Sequence, residues 1–362
     1  MRSRRTGAAP ILSLLLACLG GRAPAAAAQD QRSVTKVAEN VYVIRHRGIP
    51  FEGGNTTVVV GEREVLVVDA CQLPYAARED IAEIKRLTSK PVRWLVNTHW
   101  HNDHVMGNHA YVQAFPGLSV VAHVETKRDM DLNIPNAATR SLQYFADRLA
   151  EATQRMESGK DLQGKPLTAE ERAAVRERLP RRRQAVEDYR AFVYQSPTLA
   201  FDRALDLDLG GRQVQLRHLG RGNTSGDVVI YLPAERVVVS GDLLVRPLPF
   251  PYDGYPTEWV RTLDAVGELD AGVIVPGHGD VMRDKSYLYL VRDLFRSAIQ
   301  QVDARLHVIG PAEFQPVDSV AGHVDLSPFR RRFAGDDEAL AKQFDETAAQ
   351  VVRLVFKEAA LR

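Results

Sequence analysis

Apolar positions fall into short blocks toward the two ends of the chain and into helical spacing in its middle. Residues 41–44, 56–60 and 65–68 are valine-rich runs broken by Gly53-Gly54 and Gly61-Glu62, which predicts three short strands. Residues 75–88 carry apolar positions at helical spacing, and after Pro91 a fresh strand over 92–96 runs straight into Asn97-Thr98-His99. Strands, then a helix, then another strand is the order of layered α/β structure.

From about residue 130 to 195 the chain turns charged and helical. Leu142, Phe145, Leu149, Ala152 and Met156 recur three and four apart on one face. Thr168 with Glu171 three later predicts a capping box, and Pro180 is expected to end one helix and open the next. The segment reads as a helical insertion, and its basic run Arg181-Arg182-Arg183, flanked by acidic residues, as a solvated face. Strands resume over 204–209, 214–219, 228–232 and 237–239, followed by a helix over 257–268, a strand over 273–275 and a long helix over 285–305. From residue 337, Leu340, Phe344, Ala348, Val351, Val355 and Ala359 share a face, which predicts an amphipathic helix docked on its own domain, with a dimer contact as the alternative.

Charge and the chain's start narrow the partners. Lys and Arg number 47 against 46 Asp and Glu, so no cation excess is available for a nucleic-acid backbone. Arg2, Arg4 and Arg5 precede an apolar run over 8–19, and small residues at 25–28 lead into Gln29-Asp30-Gln31, the order of an export signal over 1–28. The run is shorter than the roughly 20 residues that a bilayer core requires, so no spanning segment is expected in the mature chain. A periplasmic or secreted protein is expected, with lipoprotein anchoring at Cys18 as the alternative. Because Cys18 lies in that signal, Cys71 is left alone, a small buried hydrophobe with no disulfide partner.

The candidate chemistry sits at strand ends. His99-Trp100-His101-Asn102-Asp103-His104 puts three imidazoles and a carboxylate within one short loop directly after a strand, donors of the kind zinc takes. Ser240-Gly241-Asp242 ends the run 237–239, and Pro276-Gly277-His278-Gly279 ends the run 273–275, each at a carboxyl end where α/β proteins tend to hold their sites. Trp100, Tyr252, Tyr255 and Trp259 are candidate pocket residues.

Thr98 to His104, the loop Gly220-Arg221-Gly222-Asn223-Thr224-Ser225-Gly226-Asp227, Ser240-Gly241-Asp242 and Pro276 to Gly279 together resemble the ordered motifs of the metallo-β-lactamase superfamily over about residues 34–301. The resemblance implies an α/β fold, a four-layer αββα sandwich, here with the helical insertion at about 130–195 and a C-terminal helix. It divides the chain into a domain over 34–310 and a tail over 311–362. It also implies two zinc ions: His99 and His101 on the first, Asp103, His104 and His278 on the second, Asp242 bridging both, and Asp69 as a supporting acid. The pattern's third ligand to the first zinc is a His followed by Thr, whereas this chain has Asn223-Thr224. An amide oxygen is a weaker donor than imidazole, so a single zinc is the alternative. His218 and His123 read as structural.

Within the superfamily, the absence of any cysteine after Cys71 argues against lactamases with a zinc-binding cysteine, and the acid at 242 is similar to that of glyoxalase II-like hydrolases. The expected activity is that of an exported zinc hydrolase, in which metal lowers the pKa of a bound water to roughly 7 for attack on an ester, lactone, amide or β-lactam. Asp103 or Asp242 handles the proton. A β-lactamase in the strict sense, and a metal- or partner-binding protein with a degenerate first site, are the alternatives. The expected partner is a small molecule, and the sequence assigns no oligomeric state.

Overall fold

The computed structural model describes residues 32–46 and 53–361, so the export segment 1–28 and Cys18 lie outside the described residues. The first sheet has seven strands. They are β1 (Arg32–Ala38), β2 (Val41–His46), β3 (Thr56–Val60), β4 (Val65–Val68), β5 (Val92–Val96), β6 (Ser119–His123) and β7 (Leu199–Phe201), in that spatial order. Pairing is antiparallel from β1 to β4 and parallel from β4 to β7. β3 and β4 read TTVVV and VLVV with every residue buried, the continuous apolar run of a strand covered on both faces. On the outer face lie α1 (Pro74–Leu87) and, after the short α2 (Asn102–Val105), α3 (Asn108–Ala114). Ile81, Ile84 and Tyr111 seal this layer against Val58, Val67 and Leu95.

Between β6 and β7 the insertion forms a hairpin of long helices, α4 (Val124–Ser158) and α5 (Ala169–Arg190). The capping box is present: Thr168 accepts from the Glu171 backbone N–H, and Glu171 accepts from the Thr168 N–H. The expected break at Pro180 is not: α5 runs through it. An interior proline costs about 3 kcal/mol, but Pro180 is exposed, where water can take the freed carbonyl. Burial of Val175, Val186 and Tyr189 on either side contributes about 1.5–3 kcal/mol each, enough to hold the helix through the defect.

The second sheet is ordered β12-β11-β10-β9-β8 and comprises β8 (Ala204–Asp208), β9 (Gln213–Arg217), β10 (Val229–Leu232), β11 (Val237–Val245) and β12 (Val273–His278). Only β11 and β12 pair in parallel, which sets both of their carboxyl ends at the same edge. β11 is longer than expected: it continues through Ser240-Gly241-Asp242 to Val245, with register shifts around Gly241, so Asp242 lies on the strand rather than after it. Val59, Leu66, Val68 and Val96 of the first sheet meet Leu216, Ile230, Val239 and Val275 of the second in the central core.

The fourth layer holds α6 (Pro256–Glu268) and α7 (Ser286–Ile309). After the single turn α8 (Asp318–Ala321) come α9 (Ser327–Ala334) and α10 (Glu338–Ala359). The apolar face of α10 docks on its own chain: Phe344, Val351 and Val355 join Trp259, Leu263 and Phe295 in one buried cluster. The layers run helix, sheet, sheet, helix, as the motif resemblance implies. No described helix is long and apolar enough to cross a membrane.

Candidate metal centre

The ligand loops meet at the edge where β4, β5, β11 and β12 end. β5 is paired on both sides and buried at its end, Leu95 and Val96, so the loop that leaves it at Asn97 starts from a fixed point. Asp69, just past β4, adopts φ 63°, a left-handed conformation that costs a non-glycine residue about 1 kcal/mol. Its carboxylate accepts from the Thr98 backbone N–H and Thr98 Oγ1, both at 2.8 Å, and from His104 Nδ1 at 2.8 Å. That last bond leaves Nε2 of His104 as the free donor atom. Thr98 Oγ1 in turn lies 2.9 Å from His99 Nδ1, which fixes the His99 ring so that its Nε2 also faces inward.

Two donor groups form. Ligand atoms of His99, His101 and Asp242 lie within 4.8 Å of one another, as do those of Asp103, His104 and His278. Asp242 joins the two, with one carboxylate oxygen 3.7 Å from His99 Nε2 and the other 3.4 Å from His104 Nε2 and 3.6 Å from His278 Nε2. His278 Nε2 is 3.0 Å from Asp103 Oδ2 and 3.3 Å from His104 Nε2. Tight packing enforces this: a Cβ on Gly277 would sit 1.9 Å from Asp242 Oδ1, and one on Gly54 would sit 2.4 Å from His104 Cε1. The loop with Asn223 is shaped by Asp227, which accepts from the backbone N–H groups of Gly222 and Thr224 and from Thr224 Oγ1. Burial pushes the Asp227 carboxyl up to about 7. Asn223 is fully buried, its Nδ2 3.4 Å from His101 Nδ1.

The donor set fits a divalent cation. Among the described residues, His99 Nε2, Asn223 Oδ1 and Asp242 Oδ1 are buried without a hydrogen-bond partner, a costly state for polar atoms unless a cation satisfies them, and His99 and Asp242 share one donor group. Burial, then the neighbouring His104 and His101, hold His99 well below the usual imidazole range, which keeps it neutral and ligand-competent. Burial lowers His101 in the same way. Burial opposes ionisation of Asp103 and Asp242, yet the facing His104 and His278 hold both carboxyls below the usual range. Conversely these carboxylates, Asp242 foremost, overcome burial and raise His104 and His278. Neutral nitrogens on one side and ionised carboxylates on the other match the N and O donors that zinc takes.

A cavity of about 570 Å³ opens onto this centre, its floor formed by His101, Asp103, Asp242 and His278. The four candidate aromatic residues are not on its walls. Trp259 is fully buried, stacks on Phe295 at 4.7 Å and donates its indole N–H to the Leu243 carbonyl; an indole is large enough to serve as the core of the outer layer, and it does. Tyr255 lies under the Arg221 guanidinium at 4.0 Å. Trp100 meets His101 edge-on at 4.9 Å and packs toward the insertion, while the exposed Tyr252 stacks on Phe250. The walls are instead residues 245–250 and, from the tail, Gln343, Glu346, Thr347 and Gln350. Those four recur at i, i+3, i+4 and i+7, a stripe readable in the sequence, but only the fold brings it over the site. His218 bonds the Asp227 carbonyl at 2.9 Å and stacks on His123 at 4.1 Å, apart from the donor set.

Comparison with known proteins adds the family. Residues 49–278 match the metallo-beta-lactamase superfamily. A linear primary-alkylsulfatase of Pseudomonas sp. (strain ATCC 19151) is 26% identical over 245 residues, 66% of this chain and 44% of that protein. A metallo-beta-lactamase type 2 of Bacteroides fragilis is 32% identical over 90 residues, 23% of this chain and 36% of that protein. The chain thus spans less than half the length of these two curated relatives. Among solved structures, a metallo-beta-lactamase from Pontibacter korlensis superposes with a TM-score of 0.52 at 20% identity, over 74% of this chain and 99% of that one. The FIM-1 metallo-beta-lactamase from Pseudomonas aeruginosa, in a mono-zinc form, does so with 0.51 at 17% identity, over 74% and 96%. At such identities the likeness is one of fold.

Proposed function

Since the chain belongs to the metallo-beta-lactamase superfamily of hydrolases, we propose that it is a zinc-dependent hydrolase of an ester, lactone, amide or β-lactam, exported by its segment 1–28. The observation that carries this is the pair of compact donor groups, His99, His101 and Asp242 beside Asp103, His104 and His278, with the buried His99 Nε2 and Asp242 Oδ1 unpartnered among the described residues, at the floor of an open cavity. His99, His101 and Asn223 would hold a first metal and Asp103, His104 and His278 a second, with Asp242 placed between the two donor groups. When bound, zinc supplies Lewis-acid polarisation of the scissile group and lowers the pKa of water to about 7.

The chain's own residues do the rest. The Asp103 side chain is 28% exposed where that of Asp242 is 5%, so Asp103 reaches the cavity, takes the proton of the attacking water and returns one to the leaving group. Asp69 and Thr98 orient the imidazoles behind it. Similarity to the alkylsulfatase over 245 residues favours a second reading, hydrolysis of a sulfate ester at the same centre.

The test is metal content of the purified chain by inductively coupled plasma mass spectrometry, followed by turnover of nitrophenyl esters, lactones, a chromogenic cephalosporin and a linear alkyl sulfate. Zinc-dependent turnover within this panel supports the hydrolase, and the substrate class accepted separates its readings. A zinc-loaded protein that opens none of them would leave a metal-binding protein in its place.

A further inference from the structure

One wall of the cavity comes from outside the residues that match the family, namely from α10. The buried face of that helix, with Phe344, Val351 and Val355, anchors it on α6 and α7, so the Gln343, Glu346, Thr347 and Gln350 stripe is held at a fixed place over the centre. The stripe offers two amides, a hydroxyl and a carboxylate. Glu346 is exposed to the cavity and has no ion-pair partner among the described residues. Across from it, Pro247, Leu248, Pro249 and Phe250 form an apolar lip on which Phe250 is 52% exposed. Arg246, at the start of the lip, lines this cavity as well as a neighbouring one, with its guanidinium over the Tyr287 ring at 5.1 Å. The charge facing the cavity from α10 is therefore negative, and the lip 247–250 is apolar, with Arg246 at its inner end.

We propose that α10 is the specificity wall of this site and that it selects amphiphilic substrates. Their apolar part seats on the lip 247–250, and a protonated amine beyond the scissile bond is held by Glu346 and flanked by Gln343 and Gln350. The proposal rests on the hydrolase reading only for where the reacting bond sits; the binding preference is measurable without turnover.

The experiment is calorimetric titration of the zinc-loaded full chain with 4-phenylbutylamine and 4-phenylbutanol, on the wild type, Glu346→Gln, Glu346→Lys and Phe250→Ser. Glu338→Gln, at the first residue of the same helix and outside the cavity lining, is the control. The amine should bind at least tenfold more tightly than the alcohol. Glu346→Gln should erase that preference, Glu346→Lys should reverse it, and Phe250→Ser should weaken both probes alike. Glu338→Gln should keep the preference. Equal binding of the two probes to the wild type, no amine binding at millimolar concentration, or a preference that survives Glu346→Lys would overturn the proposal. Esters give the complementary readout: a preference for the amine without turnover removes the hydrolase and keeps the wall, whereas turnover without the preference does the opposite.

Discussion

His46 and Asp80 form a buried pair behind the metal centre, with His46 Nε2 3.0 Å from Asp80 Oδ1 and the opposite ring nitrogen 2.9 Å from the Gly54 carbonyl. Both nitrogens face acceptors, so the ring donates twice and is an imidazolium. Gly54 in turn donates its N–H to the Asp103 carbonyl, and the neighbouring Asn55 donates to the carbonyls of Pro276, Gly277 and Gly279. The pair thus tethers the backbone that touches both ligand loops of the second donor group.

Replacing His46 with Ala should destabilise the protein by about 3 kcal/mol, because it strands Asp80 with only Arg32 as a cation. Burial alone would lower the His46 pKa, but the facing Cys71 and Asp80 raise it well above 6.5. A raised folded value means that the stabilisation is complete below about pH 6.5 and is lost as pH rises through the folded pKa. Asp80 is lowered from 3.8, so its share is lost only on the acid side. The difference in melting temperature between wild type and His46→Ala should accordingly be largest just below pH 6.5 and shrink with increasing alkalinity. A constant gap from pH 6 to pH 10 would contradict the imidazolium.

Asp69→Asn removes the anionic acceptor of His104 Nδ1 while nearly preserving shape. Loss of an oriented outer partner typically costs 10–100-fold in metal affinity. The expected result is a drop of that size in chelator competition for the metal held by Asp103, His104 and His278, with little change in melting temperature of the metal-free protein. Unchanged metal affinity would reduce Asp69 to a loop-shaping residue.

Much of this was legible in the residues because local rules and tertiary demands agree there. Buried strands such as β3 and β4 are written in uninterrupted valine, the Thr168–Glu171 box opens α5, and the loop 98–104 carries its donors in one stretch. What was not legible depends on partners far away in sequence. β1 exposes Thr35 and Lys36 and becomes a strand by pairing with β2, not by its own pattern. Pro180 breaks a helix in isolation, and only packing on both sides overrides it. Trp259 looks like a pocket residue until α7 supplies Phe295 as its stacking partner. Gln343 and Glu346 are ordinary exposed helix residues until the fold carries α10 across the site.

Asp103→Ala should abolish hydrolysis, since the same carboxylate faces His278 Nε2 at 3.0 Å and reaches into the cavity. Two losses combine, a ligand to the second metal and the group that handles the proton, so activity should fall by more than about a hundredfold. Assaying at saturating zinc separates them: if zinc occupancy is restored and the rate is not, the proton role is established. Full turnover by this variant on any accepted substrate would refute the assignment.

On the proposed two-metal reading, Asn223 should set the order in which metals bind. The second donor group has two imidazoles and a carboxylate, while the first has two imidazoles and the shared Asp242, with Asn223 beside His101 as its remaining candidate donor, and an amide oxygen is a poor zinc ligand. Zinc titration of the metal-free chain should therefore resolve a tight step and a weaker one. Asn223→Ala should abolish the weaker step and leave the tight one in place. Asn223→His adds imidazole at a fully buried position, where the Asp227 turn already holds the loop, and should tighten the weak step toward the first. Two steps of equal affinity in the wild type, unaffected by Asn223→Ala, would mean that the amide oxygen takes no part in the centre and that Asp242 with His99 and His101 suffices.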